Sequence, residues 1–346
     1  MISFRPLQGY LCKLVHKPVP DLLAGSDDRW EVAPAGKGYA APGIFLPGQI
    51  ERIRDTEFGP IDEVIQVLRG GFETSENPTV AHRFKDVDLV DGVLYAKGHQ
   101  RHLRSRQTRS LAYRTPSEVM RGTLYESWIG NRWFGSWLLE DSLTYLLAEA
   151  QGLPVTTAPE AAYHVPRYEE LLRMKPLRIQ NVHFDELILF EDMPSNPDKA
   201  QRSWEVRNRL LAGRTIKPVP GVFILRGRSG DLRVLENEQQ IAEKMAETYG
   251  FEILDPMTAT VDQIVDLCGQ AKVIAGVEGS HLVHGMMVMP PEATLFVIQP
   301  PDRTVATLKI VTDRQKQRYA FVVAEGTQLK FRANWEEIRC TFDLLH

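Results

Sequence analysis

An α/β fold in two domains is predicted by three observations. Short β-rich apolar runs alternate with helical patterns between Gly221 and Pro300, the mark of strand–helix units that build a parallel sheet. The chain has 346 residues, more than one hydrophobic core usually organises. Hydrophobic residues make up 43% and charged residues 25%, a globular mixture that folds throughout.

The first half offers the strand-like runs LPGQIERI, VDLVDGVLYAK and ELILFED, separated by helical patterns around residues 61–69, 136–150 and 167–174. These predict one α/β domain. Near residues 196–220 the chain turns polar and proline-containing around a helical segment, which puts a boundary between residues 205 and 220. VFIL (222–225) then reads as a buried strand, and Asn237 opens a helix that its side chain can cap together with Gln240. FEIL (251–254) is a second strand. A helix from Thr260 to Gly269, the strand VIAGV (273–277), the loop Glu278-Gly279-Ser280, a short helix and the strand TLFVIQ (294–299) complete a Rossmann-like unit. ANWEEIRCTFDLL has the apolar spacing of a helix free to pack back across the domains. The predicted domains are 1–210, 211–330 and a carboxy-terminal helix over 331–346.

With 41 Lys+Arg against 45 Asp+Glu the formal charge is −4, too mild for a nucleic-acid binder. The cysteines Cys12, Cys268 and Cys340 are far apart and odd in number, so neither a disulfide framework nor a paired-cysteine metal site is suggested. No run approaches the ~20 apolar residues of a membrane span. The expected location is the cytoplasm, with at most a peripheral membrane contact. The one strongly basic stretch, KGHQRHLRSRQTR (97–109), reads either as a solvated face or as a contact for an anionic lipid surface or acidic glycan.

Parallel sheets gather ligands at the carboxyl ends of their strands, which here are the loops 226–233 and 278–284. Gly279, Ser280 and His281 stand where a strand meets a helix, so their amides can face an anion such as a diphosphate. The same residues also read as a tight turn capped by Glu278. His281 and His284 are three apart on one helical face, yet no third metal ligand is near, and imidazoles can instead donate to phosphate oxygens. Arg226, Arg228 and Arg233 form a guanidinium cluster suited to bidentate phosphate contacts. In the first half, Ser136, Glu140 and Thr144 are four apart and predict a polar helical stripe, with Leu139, Leu143, Leu146 and Leu147 toward the core. Glu140 on that stripe can take a proton from an attacking hydroxyl, and Asp141, about 100° round the helix, is expected to point elsewhere.

In sequence order these pieces resemble glycosyltransferase family 61, in particular its bacterial members of capsule and surface polysaccharide synthesis. NRWFGSWLLEDSL resembles the family's Asn-aromatic-Gly-His-Trp-Leu segment, and FDELILFED its following strand. ILRGRSGDLRVLENEQQI resembles the Arg-rich loop that ends in Arg and Asn, here Arg233 and Asn237. The segment from Tyr249 to Pro301 resembles the distal block in order and spacing. Many members carry His where this chain has Glu278, and Ser136 stands where a His is common.

The resemblance implies a GT-B-like arrangement of two Rossmann-like domains facing a central cleft, inverting transfer and no required metal. It implies a nucleotide-sugar co-substrate, no other cofactor and a hydroxyl-bearing acceptor held mainly by the amino-terminal domain. The candidate base is Glu140, with Asp141 its rival. Arg226, Arg228, Arg233, Asn237, Glu278, Gly279, Ser280, His281 and His284 are the candidate donor-binding residues, with Glu278 toward ribose or sugar hydroxyls. Two other readings stay open: a glycan- or nucleotide-sugar-binding protein without catalysis, and a nucleotide-sugar epimerase or hydrolase on the same scaffold.

Overall fold

The computed structural model describes residues 1–159, 163–227, 230 and 232–345. The chain forms two compact units, Met1–Ala35 with Asn77–Pro194, and Gly36–Glu76 with Ser195–His346.

The first unit is built on an eight-stranded mixed sheet. Leu177–Arg178, Pro154–Thr156, Val119–Leu124 and Val182–Glu191 run parallel, and Val182–Glu191 pairs antiparallel with the long strand Thr79–Val90. VDLVDGVLYAK is therefore a hairpin rather than one strand. Asp91 and Gly92 both have positive φ (51° and 71°), the backbone of a two-residue turn whose twist matches its strands. Phe84, Val87, Leu89, Leu94, Phe184 and Leu187 fill the core beneath. The antiparallel strands make this sheet mixed, so the Rossmann-like description fits only the second unit.

That second unit holds a five-stranded parallel sheet in the spatial order Glu252–Leu254, Val222–Ile224, Val273–Val277, Thr294–Gln299, Arg318–Val323. The chain order reverses between Val222–Ile224 and Val273–Val277, and such switch points open a crevice at the strands' carboxyl ends. Val273–Val277 is buried on both faces, as its unbroken apolar run requires. Thr260 and Gln263 form a reciprocal capping box at the start of the helix Val261–Cys268.

Residues 36–76 and 195–210, expected in the amino-terminal domain, belong here instead. The strand Gly36–Ala40 pairs with Phe72–Glu76, and Ile44 joins the sheet edge through Ile44 N to Tyr319 O (2.9 Å) and Phe321 N to Ile44 O (3.0 Å). LPGQIERI is not a strand: after Gly48 at φ +85° it makes only the short 3₁₀ turn Ile50–Arg52. The carboxy-terminal helix Trp335–Asp343 starts at Asn334, whose side chain accepts from Glu336 N, and sends Ile338 and Phe342 into this unit's core. Residues 331–345 are thus part of the second unit. No helix of the described residues is long and apolar enough to cross a membrane.

Candidate functional site

The carboxyl ends of three neighbouring parallel strands in the second unit bring three buried arginines around one carboxylate. Arg226 follows Val222–Ile224, Glu278 follows Val273–Val277 and Arg303 follows Thr294–Gln299. Arg226, Arg233, Arg303 and Glu278 are all 6–7% exposed. Glu278 Oε2 accepts from Arg233 Nη1 and, at 3.4 Å, from Arg303 Nη1. Arg303 Nε also meets the more exposed Glu57 at 3.3 Å. Burial, then the positive charges of Arg233 and Arg303, press Arg226 down to about 10, still cationic at neutral pH. Such crowding of buried guanidinium groups against few carboxylates costs free energy unless an anion joins them.

The Arg226 loop is held from below by Glu238, which accepts from the main-chain N–H of Arg226 (2.7 Å) and Gly227 (2.9 Å). Gly279 has φ +150°, and a Cβ there would overlap the Arg226 guanidinium. His281 Nδ1 lies 3.4 Å from Arg226 Nη1. Burial, then Arg226, His284 and Arg233, keep this imidazole neutral, well below its ordinary range. Nδ1 therefore accepts, and the proton sits on Nε2, which has no partner among the described residues.

Other expectations are revised. Asn237 precedes the helix Glu238–Tyr249 without capping it: Nδ2 donates to Ala333 O (2.9 Å) and Oδ1 accepts from Ala333 N (3.2 Å). Its carboxamide is occupied in tying two segments together rather than offered to a donor. Glu278 is engaged by arginines rather than presented to a ribose. The helix after Ser280 is only Leu282–Met286, and Gly279 O and Ser280 O already accept from Leu282 N and Val283 N. Positive charge here comes from side chains more than from a helix dipole. His284 is buried within that short helix, and Arg228 lies outside the described residues.

In the first unit a concavity of ≈ 600 Å³ opens at the carboxyl ends of Val119–Leu124 and Val182–Glu191. Its carboxylates are Asp21, Glu126, Glu140, Asp141, Glu191 and Asp192, with Trp128 in the wall. Three of the six, Glu126, Asp141 and Asp192, accept from hydroxyls. Glu126 accepts from Thr156 Oγ1 (2.6 Å) and Thr157 Oγ1 (2.5 Å), and Asp192 from Thr79 Oγ1 (2.9 Å) and Thr144 Oγ1 (2.8 Å).

Glu140 and Asp141 come from a π-helical turn, Trp137–Asp141, set between Phe134–Ser136 and Ser142–Gln151. Ser142 Oγ donates to Leu138 O (2.7 Å), satisfying a carbonyl of the wider turn. The regular stripe expected through Ser136, Glu140 and Thr144 is thereby broken, and Asp141 lines the same concavity as Glu140. Asp141 accepts from Ser127 N (3.0 Å) and Ser127 Oγ (2.7 Å). Burial raises its carboxyl well above the usual range against those hydrogen bonds, with Glu126 and Glu140 adding to the rise.

The model of the Glycosyltransferase 61 family matches residues 48–296. The chain belongs to glycosyltransferase family 61. Comparison with curated proteins gives no match. Family membership brings glycosyltransferase activity, and with it a sugar donor and an acceptor to bind. Sequence reasoning missed Arg303, Glu238, Glu126 and Trp128. Each is a charged or aromatic side chain just beyond a strand or at a helix start, the signal that could have found them.

Proposed function

We propose that this family 61 protein is an inverting, metal-independent glycosyltransferase that moves a sugar from a nucleotide-activated donor to a glycan hydroxyl in bacterial surface polysaccharide synthesis. The observation that carries this reading is the trio of buried arginines, Arg226, Arg233 and Arg303, at the strand ends of the parallel sheet. A diphosphate leaving group supplies the negative charge they lack, and fixed cations there stabilise it as its bond to the anomeric carbon breaks. The unpartnered Nε2–H of His281 supports an acceptor oxygen arriving on the same side chain cluster. The acceptor takes the carboxylate-lined concavity of the first unit, where Trp128 offers a flat apolar face to a sugar ring. Glu140 removes the hydroxyl proton, the oxygen attacks the anomeric carbon, and the nucleoside diphosphate departs from the opposite face. The free cysteines fit a reducing cytoplasm.

One observation favours the reading of a nucleotide-sugar binder without turnover: Glu278 already engages two of the three arginines. Thermal denaturation across nucleoside diphosphates and nucleotide sugars, followed by product analysis with and without acceptor glycans, tests both. Stabilisation by one nucleotide and acceptor-dependent transfer support the transferase. Stabilisation without transfer over a broad acceptor panel supports the binder, and epimer formation from donor alone supports an epimerase. No stabilisation by any nucleotide overturns the donor site.

A further inference from the structure

The helix Arg5–Leu14 of the first unit packs by its small and polar side and leaves its apolar side in solvent. Pro6 and Gly9 are its buried residues, and Gln100 Oε1 comes within 2.7 Å of where a Cβ on Gly9 would stand. Arg5 anchors the start, donating to Asp86 Oδ2 (2.7 Å), Asp88 Oδ2 (2.9 Å) and Tyr95 O (3.0 Å). On the other side Phe4 is 63%, Tyr10 48%, Leu11 51%, Leu14 58% and Val15 62% exposed. At about 100° per residue these five and Leu7 fall in one arc of about 140°. A soluble helix ordinarily turns such an arc inward.

Two segments of the first unit, the helix's own and the basic stretch, carry charge of one sign. Residues 1–20 contain Arg5, Lys13 and Lys17 and no Asp or Glu, and residues 97–109 contain four arginines, one lysine and no Asp or Glu. Part of the second stretch is compensated within the unit, Lys97 by Asp27 and Arg101 by Asp21. Lys13, Lys17 and Arg109 remain exposed. Lys13 and Arg106 lie near one another's field: after burial, their charges are the next causes that hold His102 below the ordinary imidazole range.

We propose that the protein docks on an anionic phospholipid bilayer through this helix. Phe4, Leu7, Leu11, Leu14 and Val15 enter the boundary between headgroups and acyl chains, and Lys13, Lys17 and Arg109 meet lipid phosphates. An apolar row one helix wide, in a segment that carries lysines and no carboxylate of its own, has the shape and charge of an interfacial helix. The basic stretch 97–109 then flanks the helix and touches the lipid only through Arg109.

The test is flotation of the full-length chain with vesicles of phosphatidylcholine alone and of equimolar phosphatidylcholine and phosphatidylglycerol. The expected result is binding to the anionic vesicles that weakens with added salt. The double variant Leu11→Ser, Leu14→Ser should lower the bound-to-free ratio by on the order of tenfold or more. Because both side chains are exposed, its circular dichroism and melting temperature should match the wild type. Wild-type protein that stays unbound with anionic vesicles, or a double variant that floats as well as wild type, overturns the proposal. A wild-type dimer that the double variant converts to monomer, without vesicle binding, assigns the face to a second copy instead.

Discussion

Arg233 holds Glu278 twice, its Nη1 donating to the carboxylate Oε2 and, at 3.2 Å, to the main-chain carbonyl of the same residue. The pair fixes the loop after Val273–Val277, and Glu278 is the buried carboxylate set against Arg226, Arg233 and Arg303. In the proposed reading Glu278 stands in for part of the charge that the donor's diphosphate supplies.

Glu278→Gln should destabilise the protein by about 3–5 kcal/mol, the usual consequence of stranding buried cations. Added inorganic pyrophosphate should recover more of the melting temperature in the variant than in wild type. Equal shifts in both proteins would separate Glu278 from the anion site.

Arg226→Ala should weaken donor binding by about 1.5–3 kcal/mol, the loss expected for one charge-assisted phosphate contact, while the fold survives. Arg303→Ala should do the same with a larger loss of stability, because it also releases Glu278. Steady-state kinetics over donor concentration decide this, and wild-type values in both variants would remove these arginines from the site.

His281 gives the acid side of the stability profile a defined slope. Its folded-state proton affinity is depressed by burial and by Arg226, so below about pH 6.5 the unfolded chain binds a proton that the folded chain does not. Stability then falls by up to about 1.4 kcal/mol for each further pH unit. His281→Gln should flatten that part of the curve, measured as urea midpoints at successive pH values. An unchanged slope would show that His281 is protonated in the fold.

Where one local signal sufficed, the sequence was readable. VIAGV is a strand because five consecutive apolar residues between polar flanks fit a sheet buried on both faces. Thr260 and Gln263 announce their helix by themselves. What escaped was set by distant partners. Residues 36–76 read as amino-terminal because nothing local says that Ile44 bonds to Tyr319 and Phe321. Asn237 has the residue type of a cap, but Ala333 takes its carboxamide. Arg303 sits in a Pro-Pro-Asp-Arg loop whose meaning depends on Thr294–Gln299 lying beside Val273–Val277. The wider turn at Trp137–Asp141 has no signature in a helical wheel, so the bearing of Asp141 was misjudged.

Asp141 should prove structural. Its carboxyl is raised by burial, so as pH rises from the ordinary carboxylate range the unfolded chain ionises first and native stability declines. Asp141→Asn keeps a neutral group that can still accept from Ser127 N and donate to Ser127 Oγ. The variant should retain most turnover and lose less stability than wild type as pH rises above the ordinary carboxylate range. A collapse of turnover with the fold intact would instead make Asp141 a participant in proton transfer.

Glu140 is the residue on which the proposed chemistry turns. An inverting attack needs a proton acceptor beside the incoming hydroxyl, and the first unit's concavity is lined with carboxylates. Glu126 and Asp192 each accept from two threonine hydroxyls, and Asp141 is buried under Ser127. Glu140 is half-buried on the π turn and lines the concavity. Glu140→Gln keeps the size and removes the proton-accepting charge. Turnover should fall by roughly two to four orders of magnitude with donor affinity nearly unchanged, because the proposed donor contacts are Arg226, Arg233 and Arg303. Glu191→Gln, an exposed member of the same wall, serves as the control and should stay close to wild type. If Glu191→Gln is the variant that loses turnover, or if Glu140→Gln loses donor affinity in place of rate, the base is not Glu140.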